Sequence, residues 1–233
     1  MTGGCDLIMR DPRHRITTGA PGSNIGAQPG ADDPWTPSRG SQLSALRRDA
    51  LASPDGLNSP EDAASIARVH VESWRTTYRG LVPDAYLAAL NVEERTHRWR
   101  EILNLAGQTT VAEVEGAVVG FISGGPIHEL VDGYDAEVYA IYLLQEFQGK
   151  GIGRALLLDL ARRLDEVGFR SLAVWVIEKN PATRFYERSG AIRVGARERE
   201  IGGARLPLVA YGWPDLRRWI ASSAAAQGHG EAG

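Results

Sequence analysis

The chain has one cysteine, Cys5, in 233 residues, which excludes an internal disulfide and any zinc or iron–sulfur centre built on cysteine. Long apolar runs are missing as well. None approaches the roughly 20 residues a membrane helix needs. Near the N-terminus Asp6, Arg10, Asp11 and Arg13 flank only Leu7, Ile8 and Met9, too little for the apolar core of a signal peptide. The expected setting is therefore cytoplasmic and reducing, with no membrane partner. Neither sign of charge is in excess: 26 Lys+Arg against 29 Asp+Glu give a net charge of -3 and a pI near 6.0. Without a basic field to gather a phosphate backbone, no nucleic-acid partner is expected. His14, His70, His97, His128 and His229 show no ligand spacing, so no metal is expected either.

Val, Phe and Tyr are absent from residues 1–58, where Pro12, Pro21, Pro29, Pro34, Pro37 and Pro54 fall. Such a segment buries too little apolar surface to offset the entropy of ordering it, so 1–58 reads as a disordered N-terminal segment. Leu43, Leu46 and Ala50 support at most a helical turn or two within Ser41 to Leu51. A single folded domain is expected over 59–220, and 221–233, rich in Ala, Ser and Gly, reads as a flexible tail.

Order begins at Ser59-Pro60-Glu61-Asp62, an N-cap hydroxyl, a first-position proline and two acids. Ile66, Val69, His70, Ser73 and Trp74 then share a helical face that Gly80 and Pro83 end. Short helices are expected from Asp84 to Leu90 and from Asn91 to about Leu105. Gln108–Val114 and Ala117–Ser123 read as a hairpin across Glu115-Gly116. Ala136–Leu144 is apolar on both faces apart from Glu137, which marks a central strand. An amphipathic helix follows through Ile152, Leu156, Leu160, Leu164 and Val167. Leu172–Ile177 is a second buried strand, Asn180-Pro181 opens a helix that stops at Gly190, and two strands meet across Gly202-Gly203. This order predicts an α/β (α+β) fold, a mixed sheet with helices packed on it.

The stretch that carries chemistry is Gln148-Gly149-Lys150-Gly151-Ile152-Gly153, between the central strand and the amphipathic helix. Glycines there leave the first N–H groups of the helix uncovered and aim its positive end outward, which suits an anion. A plain helix start with glycines for close packing is the other reading. The spacing fits neither a nucleoside-triphosphate loop, G-x-x-x-x-G-K-[ST], nor a dinucleotide fingerprint, G-x-G-x-x-G.

Gln148, Gly151 and Gly153 resemble the acyl-CoA motif [RQ]-x-x-G-x-[GA] of the GNAT superfamily of N-acetyltransferases. The block from Asn180 through Phe185-Tyr186 to Gly190 is similar to the family's second signature. The resemblance covers about 59–213, and Trp74, Tyr78 and Gly80 look like the family's first-helix region. It implies a mixed, mostly antiparallel central sheet with helices on both faces and a splayed central parallel strand pair. Three departures stand out. Pro54 to Asn58 is poor material for the family's first strand, Gln145 replaces a common proline, and the N-terminal segment has no counterpart.

The resemblance further implies acetyl-CoA as co-substrate, with direct transfer to a primary amine of a small molecule or peptide in a ternary complex. Gly149, Lys150, Gly151, Ile152, Gly153 and Arg154 would hold the pyrophosphate beside Gln148. The backbone of Ile141, Tyr142 and Leu143 would pair with the pantetheine arm, and Asn180 would bond its amides. Tyr186 would be the general acid and Glu137, eleven residues before Gln148, the base. Trp74, Tyr78, Glu129, Asp132 and Asp135 would wall the acceptor pocket, the acids attracting a cationic amine. A homodimer stays open as an assembly. The rival is a CoA-binding sensor or scaffold without turnover, favoured by the missing first strand.

Overall fold

The computed structural model describes residues 45–48, 60–103 and 108–228. Strand β1 (Ala45–Arg48) comes first, and helix α1 (Pro60–Thr77) opens on Pro60, whose missing N–H would have no intrahelical partner in any case. Helix α2 (Asp84–Ala88) follows Pro83. In α3 (Val92–Leu103) the Asn91 Oδ1 accepts the Glu94 N–H at 3.1 Å, the capping its sequence announces. Strands β2 (Gln108–Val114) and β3 (Ala117–Pro126) join through Glu115 and Gly116, with φ of 52° and 80°, a turn whose twist matches that of the strands. Then come β4 (Ala136–Leu143), α4 (Ile152–Glu166), β5 (Leu172–Ile177), α5 (Ala182–Arg188), β6 (Ile192–Ile201), β7 (Ala204–Trp213) and α6 (Leu216–Gly228).

The strands form one seven-stranded sheet in the order β1-β2-β3-β4-β5-β7-β6, antiparallel throughout except between β4 and β5. Helices cover both faces. On one, Trp99 of α3 donates its indole N–H to His70 of α1 at 3.1 Å and packs edge-on against Phe121 of β3. On the other, Asp159 of α4 accepts the Thr110 hydroxyl of β2 at 2.8 Å, and Gly124 of β3 lets Leu160 approach the sheet. The mixed sheet with a central parallel pair matches the fold expected from the sequence.

Two stretches differ from that expectation. Where a helical turn is expected within Ser41 to Leu51, Ala45–Arg48 is a strand, antiparallel to β2 with Ala45 opposite Glu113 and Arg48 opposite Thr110. The edge of β2 offers backbone donors and acceptors to any extended segment, so tertiary pairing overrides poor strand composition. The rest of 1–58 lies outside the described residues. At the other end α6 carries the chain past Ala221 to Gly228, because Leu216 and Trp219 bury its first turns. Both Trp219 and Trp213 donate their indole N–H to the Ser189 carbonyl. Residues 229–233 lie outside the described residues.

A chain beginning at Asp55 lacks β1 and leaves β2 as an open edge. At about 1 kcal/mol net per ladder hydrogen bond, it should melt roughly 2–10 °C lower and aggregate more readily. An unchanged melting temperature would mean that β1 adds no stability.

Candidate active site

Strands β4 and β5 pair over three residues only, Ala136 with Leu172, Glu137 with Ala173 and Val138 with Val174. Beyond that point β5 stays with β7 to Ile177, and β4 stays with β3 to Leu143. The parting coincides with a bulge. Ser123 faces Ala140 and Gly124 faces Val138, which leaves Tyr139 as the extra residue on β4. A bulge bends its strand and increases the local twist, so β4 turns away from β5 there. The Tyr139 hydroxyl donates to the Pro126 carbonyl at 2.6 Å and fixes the bend. The fork opens a cleft of about 690 Å³, walled by Val138–Leu143 on one side and Val174–Val176 on the other. That size accommodates a cofactor-sized ligand.

The mouth of the cleft is the glycine loop. Gly149 and Gly151 have φ of 74° and 82°, and a Cβ on either would meet nothing within 4 Å, so their backbone faces open space. Gly151 is the N-cap of α4 and no side chain caps that helix, which leaves the first-turn N–H groups for an anion. Gln148 folds the loop back by donating Nε2–H to the Leu143 carbonyl at 3.1 Å. The Lys150 ammonium lies over the Phe147 ring at 5.1 Å and Ile152 is buried in the core, so these two bring backbone rather than side chain to the cradle. Arg154, Arg184 and Arg188 line the cleft, and among the described residues no acidic or histidine side chain does. The site therefore has a positive end built for phosphate.

Deeper in, the cleft is lined by neutral hydrogen-bonding groups. Tyr186 is 4% exposed, and burial, with the phenol of Tyr78 nearby, pushes its pKa well above the usual 10.0. Burial likewise raises Tyr78 and Tyr142, whose hydroxyls lie 3.5 Å apart. His70 stacks on Tyr142 with ring centroids 4.7 Å apart. Burial, then the charge of Arg95, holds it well below 6.5, so it stays a neutral ring. Because Nδ1 accepts the Trp99 N–H, its proton is on Nε2. The Asn180 Oδ1 accepts the Ala182 N–H at 2.9 Å, which caps α5, while the Asn180 amide reaches the Tyr78 phenol.

The expected catalytic and binding residues divide. Ile141, Tyr142, Leu143, Gln148, Gly149, Gly151, Gly153, Arg154, Asn180 and Tyr186 come together around the fork. Glu137 does not join them. It is fully buried in the paired part of β4, and its Oε2 accepts the N–H groups of His128 and Glu129, both at 3.2 Å, so it ties down the β3–β4 loop. The acids expected around the acceptor are also placed elsewhere. Glu129 binds Arg197 and Arg199. Burial would raise the Asp135 pKa, but the N–H groups of Arg170 and Ser171 and the Ser171 hydroxyl hold it below the usual 3.8. Sequence reasoning missed Arg184 and Arg188, whose spacing of four puts both on one face of α5. Ser73 is buried on the core face of α1, as read, and also lines the cleft.

Comparison with known proteins agrees with this geometry. The family model described as "Acetyltransferase (GNAT) family" matches residues 69–191. The chain is 48% identical over 156 residues to the uncharacterized N-acetyltransferase YuaI of Bacillus subtilis (strain 168), covering 67% of this chain and 90% of that one. Among solved structures it is similar to the ribosomal-protein-alanine N-acetyltransferase of Brucella melitensis, at 25% identity and a TM-score of 0.55, over 72% of this chain and 98% of that one. It is also similar to the paia N-acetyltransferase of Thermoplasma acidophilum in complex with coenzyme A, at 21% identity and a TM-score of 0.50, over 72% and 99%.

Gly151→Val places a branched side chain at a φ of 82° beside the open N–H groups. Losing one or two charge-assisted hydrogen bonds should weaken acetyl-CoA binding by about 100-fold or more. Gly153→Ala is the contrast, since its Cβ would meet the Phe185 ring at an ordinary 3.7 Å, and its loss should stay under about tenfold. Calorimetry on both variants checks this, and equal affinities would mean that the cradle does not hold the ligand.

Proposed function

We propose, from the premise that the chain belongs to the GNAT family of acetyltransferases, that it moves the acetyl group of acetyl-CoA to a primary amine of a small molecule or peptide by direct attack in a ternary complex. The observation that carries this reading is the convergence, in one cleft, of the amide cradle, three arginines and the buried Tyr186. Acetyl-CoA, when bound, supplies an activated thioester. The N–H groups at the start of α4, with Arg154, Arg184 and Arg188, hold its phosphates. The backbone of Ile141 to Leu143, on the part of β4 that has left β5, pairs with the pantetheine amides as an added strand.

Holding both reactants in the fork supplies most of the rate. The amine must attack as the neutral species, and its proton leaves to water, because Glu137 is engaged with the loop amides outside the cleft. Tyr186 hands its hydroxyl proton to the departing thiolate. Burial raises its pKa, so the phenol is fully protonated at neutral pH and its proton is in place when negative charge develops on the sulfur. Against the rival reading, a CoA sensor without turnover, stands strand β1, which pairs with the edge of β2 ahead of the first helix.

Tyr186→Phe keeps the ring and its packing, and should lower the single-turnover rate at saturating acetyl-CoA by about 10- to 1000-fold with acetyl-CoA affinity unchanged. An unchanged chemical step removes the phenol from the mechanism. The pH profile is a separate check. The acid form of Tyr186 is the active one and its pKa is raised, so native activity should rise as the acceptor amine deprotonates and show no fall from this group below pH 10.0. A falling limb at pH 8 to 9 that vanishes in Tyr186→Phe would contradict it.

A further inference from the structure

The cleft holds a second phenol beside that of Tyr186. We infer that the Tyr78 hydroxyl donates a hydrogen bond to the thioester carbonyl oxygen of acetyl-CoA and stabilises the charge that forms there when the amine attacks, an inference that rests on the acetyl-transfer reading above. Tyr78 lines the cleft, is 4% exposed and follows directly on α1. Its backbone is fixed on both sides. The N–H donates to the Trp74 carbonyl at 3.0 Å, and the carbonyl accepts the N–H groups of Leu81 and Val82 at 2.9 and 3.0 Å. A donor held on such a frame keeps its aim without reorganising during the reaction.

The neighbours of the Tyr78 oxygen leave its proton for a ligand. Asn180 uses Oδ1 to accept the Ala182 N–H at 2.9 Å, so the end that reaches Tyr78 is the NH2 group, which can only donate. The Tyr78 oxygen therefore accepts there, and a hydroxyl that accepts a hydrogen bond becomes a better donor. Its other neighbour is the Tyr142 hydroxyl at 3.5 Å, the long limit of a hydrogen bond, which a carbonyl oxygen at closer range replaces. The hydroxyl of Thr76, also on the wall, is committed to the Glu72 and Ser73 carbonyls at 3.1 and 3.2 Å.

Tyr78 also stands beside Tyr186, whose proton its phenol helps to hold. In a thioester the sulfur and the carbonyl oxygen hang from one carbon, so the donors that serve them must lie side by side. With Tyr186 on the sulfur, Tyr78 falls to the oxygen. As the nitrogen–carbon bond forms, the carbonyl π pair moves onto that oxygen. When the pair returns, the carbon–sulfur bond breaks and the thiolate takes the Tyr186 proton, while Tyr78 keeps its own. Burial raises Tyr78 as well, so its phenol is protonated at neutral pH. Among the described residues no carboxylate lines the cleft to repel the charge on oxygen.

The test uses the full chain and acetyl-CoA labelled with carbon-13 at the carbonyl. Calorimetry reads binding, the infrared band of the bound carbonyl reads its polarisation, and thiol release with a panel of primary amines reads turnover. The band should lie below its frequency in free acetyl-CoA. Tyr78→Phe should abolish most of that shift at an acetyl-CoA affinity within about tenfold of native, and lower turnover by about 10- to 1000-fold. Tyr186→Phe should keep the shift while it slows turnover, because its phenol serves the sulfur. Asn180→Ala leaves the Tyr78 phenol in place without the donor behind it and should lose part of the shift. Tyr134→Phe, whose ring covers Gly212 outside the cleft, should lose none. Melting curves exclude variants that fail to fold; if Tyr78→Phe is one of them, Asn180→Ala decides, and a full shift there overturns the role. A band at the solution frequency, a shift that survives Tyr78→Phe, or one lost only in Tyr186→Phe overturns it too and leaves Tyr78 as a wall of the cleft. A Tyr78-dependent shift without thiol release keeps the carbonyl contact and refutes acetyl transfer, whereas release with an unshifted band does the reverse. Absence of acetyl-CoA binding overturns both.

Discussion

Three residues of parallel pairing, Ala136 to Val138 against Leu172 to Val174, hold the two halves of the sheet together, and the bulge at Tyr139 ends that pairing. Had β4 and β5 zipped along their full length, the sheet would be closed and α4 would begin against a covered edge. Because they part, the backbone of β4 beyond Val138 faces a gap with no β5 strand to bond, and the glycine loop after β4 opens onto that gap. Backbone polar groups shielded from water need partners. In the proposed reading, a ligand with alternating amides satisfies them through the backbone.

The rest of the site is arranged by charge. Cations gather at the outer end, where Arg154, Arg184 and Arg188 sit with the positive end of α4. The inner end holds neutral rings whose pKa values burial drives away from ionisation. An anion is favoured at the first end over the second. Glu137 fits the same scheme from outside the cleft. A carboxylate buried on the central strand is tolerable because two backbone N–H groups of the β3–β4 loop bind it, and that loop carries Glu129 to the two arginines of β6.

What the sequence made legible was local. The capped start of α3, the Glu115-Gly116 turn and the glycine run before α4 each carry their reason within a few residues, and the structure places them as read. What it concealed was set by distant partners. Ala45–Arg48 becomes a strand because β2 presents an edge, although its own composition argues against one. Helix α6 is held by Leu216 and Trp219 within a stretch otherwise rich in Ala and Ser. The lone Glu137 stood out in its apolar strand, yet its partners, the amides of His128 and Glu129, lie in a loop whose path only the fold defines. The pairing of Glu129 with Arg197 and Arg199, about seventy residues on, was equally out of reach.

The central claim is that the fork between β4 and β5 is where acetyl-CoA lies, with its phosphates on the glycine loop. Amide hydrogen exchange on the full chain, with and without acetyl-CoA, tests it most directly. The account predicts slowed exchange at Ile141, Tyr142 and Leu143 and across Gly149 to Arg154, with the β2–β3 hairpin unchanged. Protection elsewhere with none in these two stretches would contradict it.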